Sequence, residues 1–145
     1  MIYKTFGDTV AIRLEKGEEV LESIKEVCEK ENITAGTIQA LGACDHAVVG
    51  VYNVEEKKYY ANTFDEALEI TNLTGNISVK NGEVYLHIHA TLGNEEGKCF
   101  GGHLNEAKIS ATCEIFIHKI NGYIGRIYDE NIGLNLIDFN KERFI

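Results

Sequence analysis

Helical periodicity occupies one stretch of this chain, and that confines it to a fold dominated by sheet. From Glu18 to Asn32 apolar residues fall at Val20, Leu21, Ile24, Val27 and Cys28, with acids and lysines opposite. That i, i+1, i+4, i+7, i+8 spacing is one face of a helix. Glu18 and Glu19 suit the positive end of its dipole and Lys30 the negative end. Elsewhere the pattern is short and strand-like. Val10 to Leu14, Gly36 to Ala43, His46 to Tyr52, Lys57 to Phe64 and Glu66 to Thr74 read as candidate strands, as do Val84 to Leu92, Ile109 to Ile120, Tyr123 to Tyr128 and Leu134 to Phe139. Cys44-Asp45 reads as a turn, and Asn81-Gly82 is a strong hairpin signal. The chain has no proline, so its turns fall to glycine and asparagine.

One helix cannot cover such a sheet. A helix of about 15 residues is about 22 Å long and about 10 Å wide. A sheet of about seven strands presents roughly 600 Å² per face, so the helix shields about a third of one face. Yet Ile115-Phe116-Ile117 is apolar on both sides, the pattern of a doubly buried strand. The expectation is that the sheet curls on itself and that other subunits complete the core.

A chain of 145 residues fits a single domain over 1–145. No apolar run approaches the roughly 20 residues a membrane-crossing helix needs, and the start, Met1 to Phe6, lacks the basic-then-apolar layout of a signal peptide. Cys28, Cys44, Cys99 and Cys113 form no C-x-x-C pair and read as free thiols, which places the protein in the cytoplasm with no membrane partner. The formal net charge is −9. A polyanion repels such a surface, so direct DNA binding is disfavoured, with local patches in an oligomer the remaining route.

The most specific chemistry lies between Glu83 and Leu104. Along the strand Val84 to Leu92 side chains alternate, so Val84, Leu86, Ile88, Ala90 and Leu92 share an apolar face. Tyr85, His87, His89 and Thr91 share the other, with the two imidazoles roughly 7 Å apart at Cα. A polar turn follows, and Gly101-Gly102 delivers His103, the glycine pair either letting the backbone approach the sheet with unusual dihedrals or making an ordinary turn. Neutral imidazole is the commonest metal-ligand side chain, and three ligands leave a position open on zinc. His87, His89 and His103 are therefore the candidate ligands of a divalent metal, zinc before magnesium or calcium, which want oxygen. The competing reading is a polar groove or subunit interface lined by histidine. Cys99 is a lesser competitor for ligation. Glu114 is the candidate general base or support for a ligand histidine, against the plainer reading of a solvated carboxylate.

In order along the chain, R-L-E-K-G-E-E-V (Arg13 to Val20), L-G-A (Leu41 to Ala43), L-E-I-T-N-L-T-G-N-I-S (Leu68 to Ser78), L-H-I-H-A (Leu86 to Ala90), G-G-H-L (Gly101 to Leu104) and T-C-E-I (Thr112 to Ile115) form an ordered set. The sequence in this set resembles the PPC domain family, the plants-and-prokaryotes conserved domain also found in plant AT-hook nuclear-localised proteins. The resemblance runs from about Arg13 to Phe139. It implies an α/β (α+β) fold: a largely antiparallel, barrel-like sheet with one main flanking helix, assembled as a homotrimer. It also implies a metal held through the H-x-H and G-G-H-L histidines, here His87, His89 and His103. Stand-alone prokaryotic members are labelled DNA-binding, but plant members use an R-G-R-P hook that this chain lacks. The sequence thus leads to a homotrimeric metal-binding domain with an assembly or ligand-sensing role and room for a small-molecule ligand. A DNA-associated regulator is the alternative, and a metal-dependent hydrolase of a small substrate the second.

Overall fold

The structure is a computed structural model that describes residues 1–141. Nine strands and one helix follow in order: β1 (Ile2–Phe6), β2 (Thr9–Glu15), α1 (Val20–Lys30), β3 (Gly36–Asn53), β4 (Lys58–Phe64), β5 (Leu68–Lys80), β6 (Glu83–Gly93), β7 (Cys99–Lys119), β8 (Gly125–Asp129) and β9 (Leu134–Asp138). The class is α+β, with the pairings antiparallel apart from one parallel contact, Val79 with Gly125.

The helix is shorter at each end than its sequence pattern. It starts at Val20 because Glu19 caps it, accepting from the Glu22 N–H through Oε2 at 2.8 Å. The other Glu19 oxygen accepts from the Ala107 N–H at 2.9 Å, so one carboxylate ties the helix start to β7. Burial raises the Glu19 carboxyl above its ordinary range, against the pull of these hydrogen bonds. The helix ends before Asn32, whose φ is +53°. Val20, Ile24, Val27 and Cys28 meet Leu14, Ile38, Leu73, Ile77, Ile88 and Ile115 in one hydrophobic cluster. Burying each large aliphatic side chain there contributes about 1.5–3 kcal/mol relative to exposure.

Two segments that read as separate strands are continuous. β3 runs through Cys44-Asp45 without a turn, because register shifts between Gly42 and Cys44, and between Cys44 and His46, absorb the bend. β7 runs 21 residues and carries Gly101-Gly102 inside it. Its first part pairs with β6 and the second half of β3, and its last part with the first half of β3 and with β2. The pairings therefore pass from β7 through β3, β5 and β6 back to β7. Strand β1, a largely exposed partner of β2, has no counterpart in the sequence reading; the described residues form nine strands in place of a sheet of about seven.

Ile115 and Ile117 are fully buried, but Phe116 between them is 54% exposed, so this strand is not doubly buried within the chain. Residues paired across a ladder share a face. One row therefore crosses the outer face: Ala11, Phe116, Gln39, Thr74, His89, His103. Among the described residues no helix is long and apolar enough to cross a membrane.

Candidate metal centre

Strand alternation places His87 and His89 on the outer face of β6, while Ile88 and Ala90 go to the core. His103 arrives from β7 directly opposite His89, with Gly50 of β3 on its other side. Close approach of three backbones makes this possible. A Cβ on Gly101 would lie 2.1 Å from the Ala90 carbonyl oxygen, and one on Gly102 would lie 2.5 Å from that of Gly50. Gly101-Gly102 is thus a strand interior squeezed between two neighbours, where the sequence left an ordinary turn as the alternative.

The three rings converge. Their centroids are 5.0 Å (His87–His89), 5.4 Å (His87–His103) and 5.6 Å (His89–His103) apart. One nitrogen from each lies within 4.8 Å of the other two. The Nε2 atoms of His87 and His89 are 3.2 Å apart. Two donors of a tetrahedral zinc with bonds near 2.05 Å would stand about 3.3 Å apart, so this pair is already spaced for one ion. His87 and His103 are half-buried and His89 is exposed. Tyr59 holds the His103 segment: its hydroxyl donates to the His103 carbonyl at 3.3 Å and shares a hydrogen bond with Asn105. Its ring meets the His103 imidazole edge-on at 6.0 Å.

The electrostatics favour the neutral, ligating form. Burial first, then His89, His103 and Arg126, lowers the His87 pKa below 6.5. Burial and His89 do the same for His103. The donor set, three neutral imidazoles with no carboxylate in the group, suits a borderline ion such as zinc.

Beside His89 a cleft of about 380 Å³ opens, lined by Asn72, Thr74, Thr91, Cys99 and Gly101. Cys99 is exposed and lies outside the ligand cluster. Glu114 is not among the converging groups either: it pairs with Arg13 and Leu41, eleven residues beyond His103 on β7. His46 bridges two carboxylates, with Asp65 at 2.5 Å on Nδ1 and Glu106 at 3.1 Å on Nε2. His118 accepts or donates at 2.8 Å with Thr9.

Arg126 went unremarked in the sequence. It comes from β8 and lies 5% exposed against the same face, its Nη2 donating at 2.8 Å to Asn76 Oδ1, and Asn76 is the residue opposite His87. The only sequence signal was an arginine inside an apolar strand, Gly125-Arg-Ile-Tyr.

A family model described as the Plants and Prokaryotes Conserved (PCC) domain matches residues 1–121. Similar solved structures include a "putative DNA binding protein" of Bacteroides thetaiotaomicron, 33% identical, covering 97% of this chain and 98% of that one, TM-score 0.94. A metal-containing protein of Archaeoglobus fulgidus is 35% identical, covering 94% and 98%, TM-score 0.85. A plant- and prokaryote-conserved (PPC) protein of Pyrococcus horikoshii is 36% identical, covering 97% and 96%, TM-score 0.86. No match is found among curated proteins.

Proposed function

The chain belongs to the Plants and Prokaryotes Conserved (PCC) domain family, and from that premise we propose that it binds one divalent ion, zinc by preference, on His87, His89 and His103. In this reading residues 1–145 act as one cytoplasmic, homotrimeric domain with an assembly or ligand-sensing role. The observation that carries it is the convergence of three ring nitrogens within 4.8 Å from two strands in fixed register. The metal-containing Archaeoglobus protein, at 35% identity over nearly all of both chains, supports it. An ion so held supplies Lewis acidity at an open position. The chain's own residues keep the rings neutral, fix the His103 backbone through Tyr59 and leave a cleft beside His89 for a small molecule.

The hydrolase reading is weaker, because Glu114 stands on another part of β7 from the rings. The DNA-associated reading has the Bacteroides protein's name behind it, and a net charge of −9 against it.

Protein purified without chelator is expected to hold about one ion per chain near pH 7, measured by elemental analysis. Protons compete with the ion for each imidazole. Burial holds the His87 and His103 imidazoles below their ordinary range, which favours the ion in this competition, so metal content is expected to hold near neutrality and to fall as the medium is acidified. The metal-free fold follows the same direction: its rings bind fewer protons than the unfolded chain, so stability declines as pH drops below 6.5. Unchanged metal content after dialysis at about pH 4.5 would contradict histidine ligation.

In this reading the trimer rests on the outer face, where Leu41 is 58% and Phe116 is 54% exposed, two rungs apart on the β3–β7 ladder. Sedimentation equilibrium is expected to give three times the 16.2 kDa chain mass, and Phe116→Glu to shift it to the monomer. A monomeric parent protein would remove this part.

A further inference from the structure

The β8–β9 hairpin lays a positive charge beside the histidines and gives it no counter-charge. Arg126 is 5% exposed. Its Nε donates to Ser78 Oγ, an Nη1 proton goes to the Asn135 carbonyl and an Nη2 proton to Asn76 Oδ1, each at 2.8 Å. Its Cζ stands 4.8 Å from the centre of the Tyr85 ring. All four partners are neutral, and among the described residues no carboxylate forms an ion pair with it. Burial of a cation without an anion is costly, and proteins ordinarily avoid it.

Its location gives that cost a use. On the β5–β6 ladder Ser78 stands opposite Tyr85, Asn76 opposite His87 and Thr74 opposite His89. The guanidinium therefore bonds the residue facing His87 and covers the aromatic ring two residues before it. A divalent ion on three neutral imidazoles adds two positive charges alongside, and the ligand cluster contains no acid. The combined site is an electropositive corner, whose charge complement is a small anion. Of the five guanidinium N–H groups, three are taken, which leaves one on Nη1 and one on Nη2. Two donors on one planar fork match the two oxygens of a carboxylate.

We propose that Arg126 anchors the carboxylate of a small organic acid whose second oxygen group reaches the ion held by His87, His89 and His103. This inference rests on the metal reading and names the ligand class for that site. Inorganic phosphate can take the same two-donor fork, so it is titrated beside the diacids to tell the two apart.

The test uses protein loaded with Co²⁺, whose visible absorption responds to new ligands. Malonate, succinate, malonamide and inorganic phosphate are titrated into the parent, Arg126→Lys and Arg126→Met. Malonate or succinate is expected to change the spectrum saturably, while the uncharged malonamide does not. Arg126→Met is expected to weaken that binding by roughly 10- to 100-fold with Co²⁺ stoichiometry and circular dichroism unchanged. Arg126→Lys, which keeps the charge without the fork, should fall between. A purely structural arginine would leave the malonate response alone, so equal affinity in Arg126→Met overturns the proposal. A parent whose cobalt spectrum ignores both diacids, or answers only to phosphate, overturns it too, and leaves the metal site standing. A parent that takes up no cobalt removes the metal reading first and this one with it. Should Arg126→Met fail to fold, unchanged diacid affinity in Arg126→Lys rules out recognition by the fork.

Discussion

His89→Ala is expected to yield a folded protein that no longer holds a divalent ion. The side chain is exposed and its neighbours Ile88 and Ala90 keep the strand in the core, so its removal opens no cavity. Stability of the metal-free protein should change by less than about 0.5 kcal/mol, the usual range for a surface substitution. Metal binding is another matter. The Nε2 of His89 is the atom already 3.2 Å from that of His87, and its loss leaves two imidazoles from two strands. Removing even a supporting partner of a ligand costs about 10- to 100-fold in affinity, and a ligand itself costs more. Metal content should fall from about one per chain to background after gel filtration. His87→Ala should do the same. Retention of a full equivalent by His89→Ala would show that these rings are a polar cluster and no more.

Gly101→Ala has the largest expected effect on the fold itself. The new methyl would lie 2.1 Å from the Ala90 carbonyl oxygen and 3.1 Å from the Thr91 Cα, both backbone atoms of β6. No side chain can swing aside to relieve the overlap. β6 and β7 must separate at the Thr91–Gly101 rung, two rungs from the pair His89–His103. Overpacking a well-filled site costs about 1–3 kcal/mol, and a backbone clash belongs at or above the top of that range. For a chain of this length about 3 kcal/mol lowers Tm by roughly 10 °C. Gly122→Ala is the control, because a Cβ there meets nothing within 4 Å and it should leave Tm unchanged. Metal affinity should fall in Gly101→Ala and hold in Gly122→Ala. A Gly101→Ala protein as stable as its parent would mean that the strands are not packed this closely.

These two experiments also mark how far the sequence could be read. The apolar/polar split of β6 was plain because a period of two on a half-buried strand leaves little ambiguity, and it put His87 and His89 on one face correctly. The convergence of His103 was legible only as a pattern, since register across β6 and β7 depends on pairing that no local signal encodes. Cys44-Asp45 looked like a turn because a bulge and a turn use similar polar breaks. Gly101-Gly102 left close backbone approach and an ordinary turn equally open, and what decides for the approach is the neighbouring backbones of Ala90 and Gly50, which come from elsewhere in the fold. β1 escaped notice because it is short and mostly exposed, so it has no buried face to leave a pattern. Arg126 was out of reach for a deeper reason. Its meaning depends on where a hairpin lands, and its strand gives no hint of Asn76 or Tyr85.

The way β7 is threaded has a kinetic consequence. Its far end hydrogen-bonds with Thr9, 109 residues away, while its near end completes the histidine trio. Long chain segments must be closed before either ladder gains its contacts, which places folding on the slow side for a domain of this size. The trio has no existence in a nascent chain that has not yet released His103 from the ribosome. In the proposed reading, ion capture would accordingly come late, a seal on finished topology more than a nucleus for it.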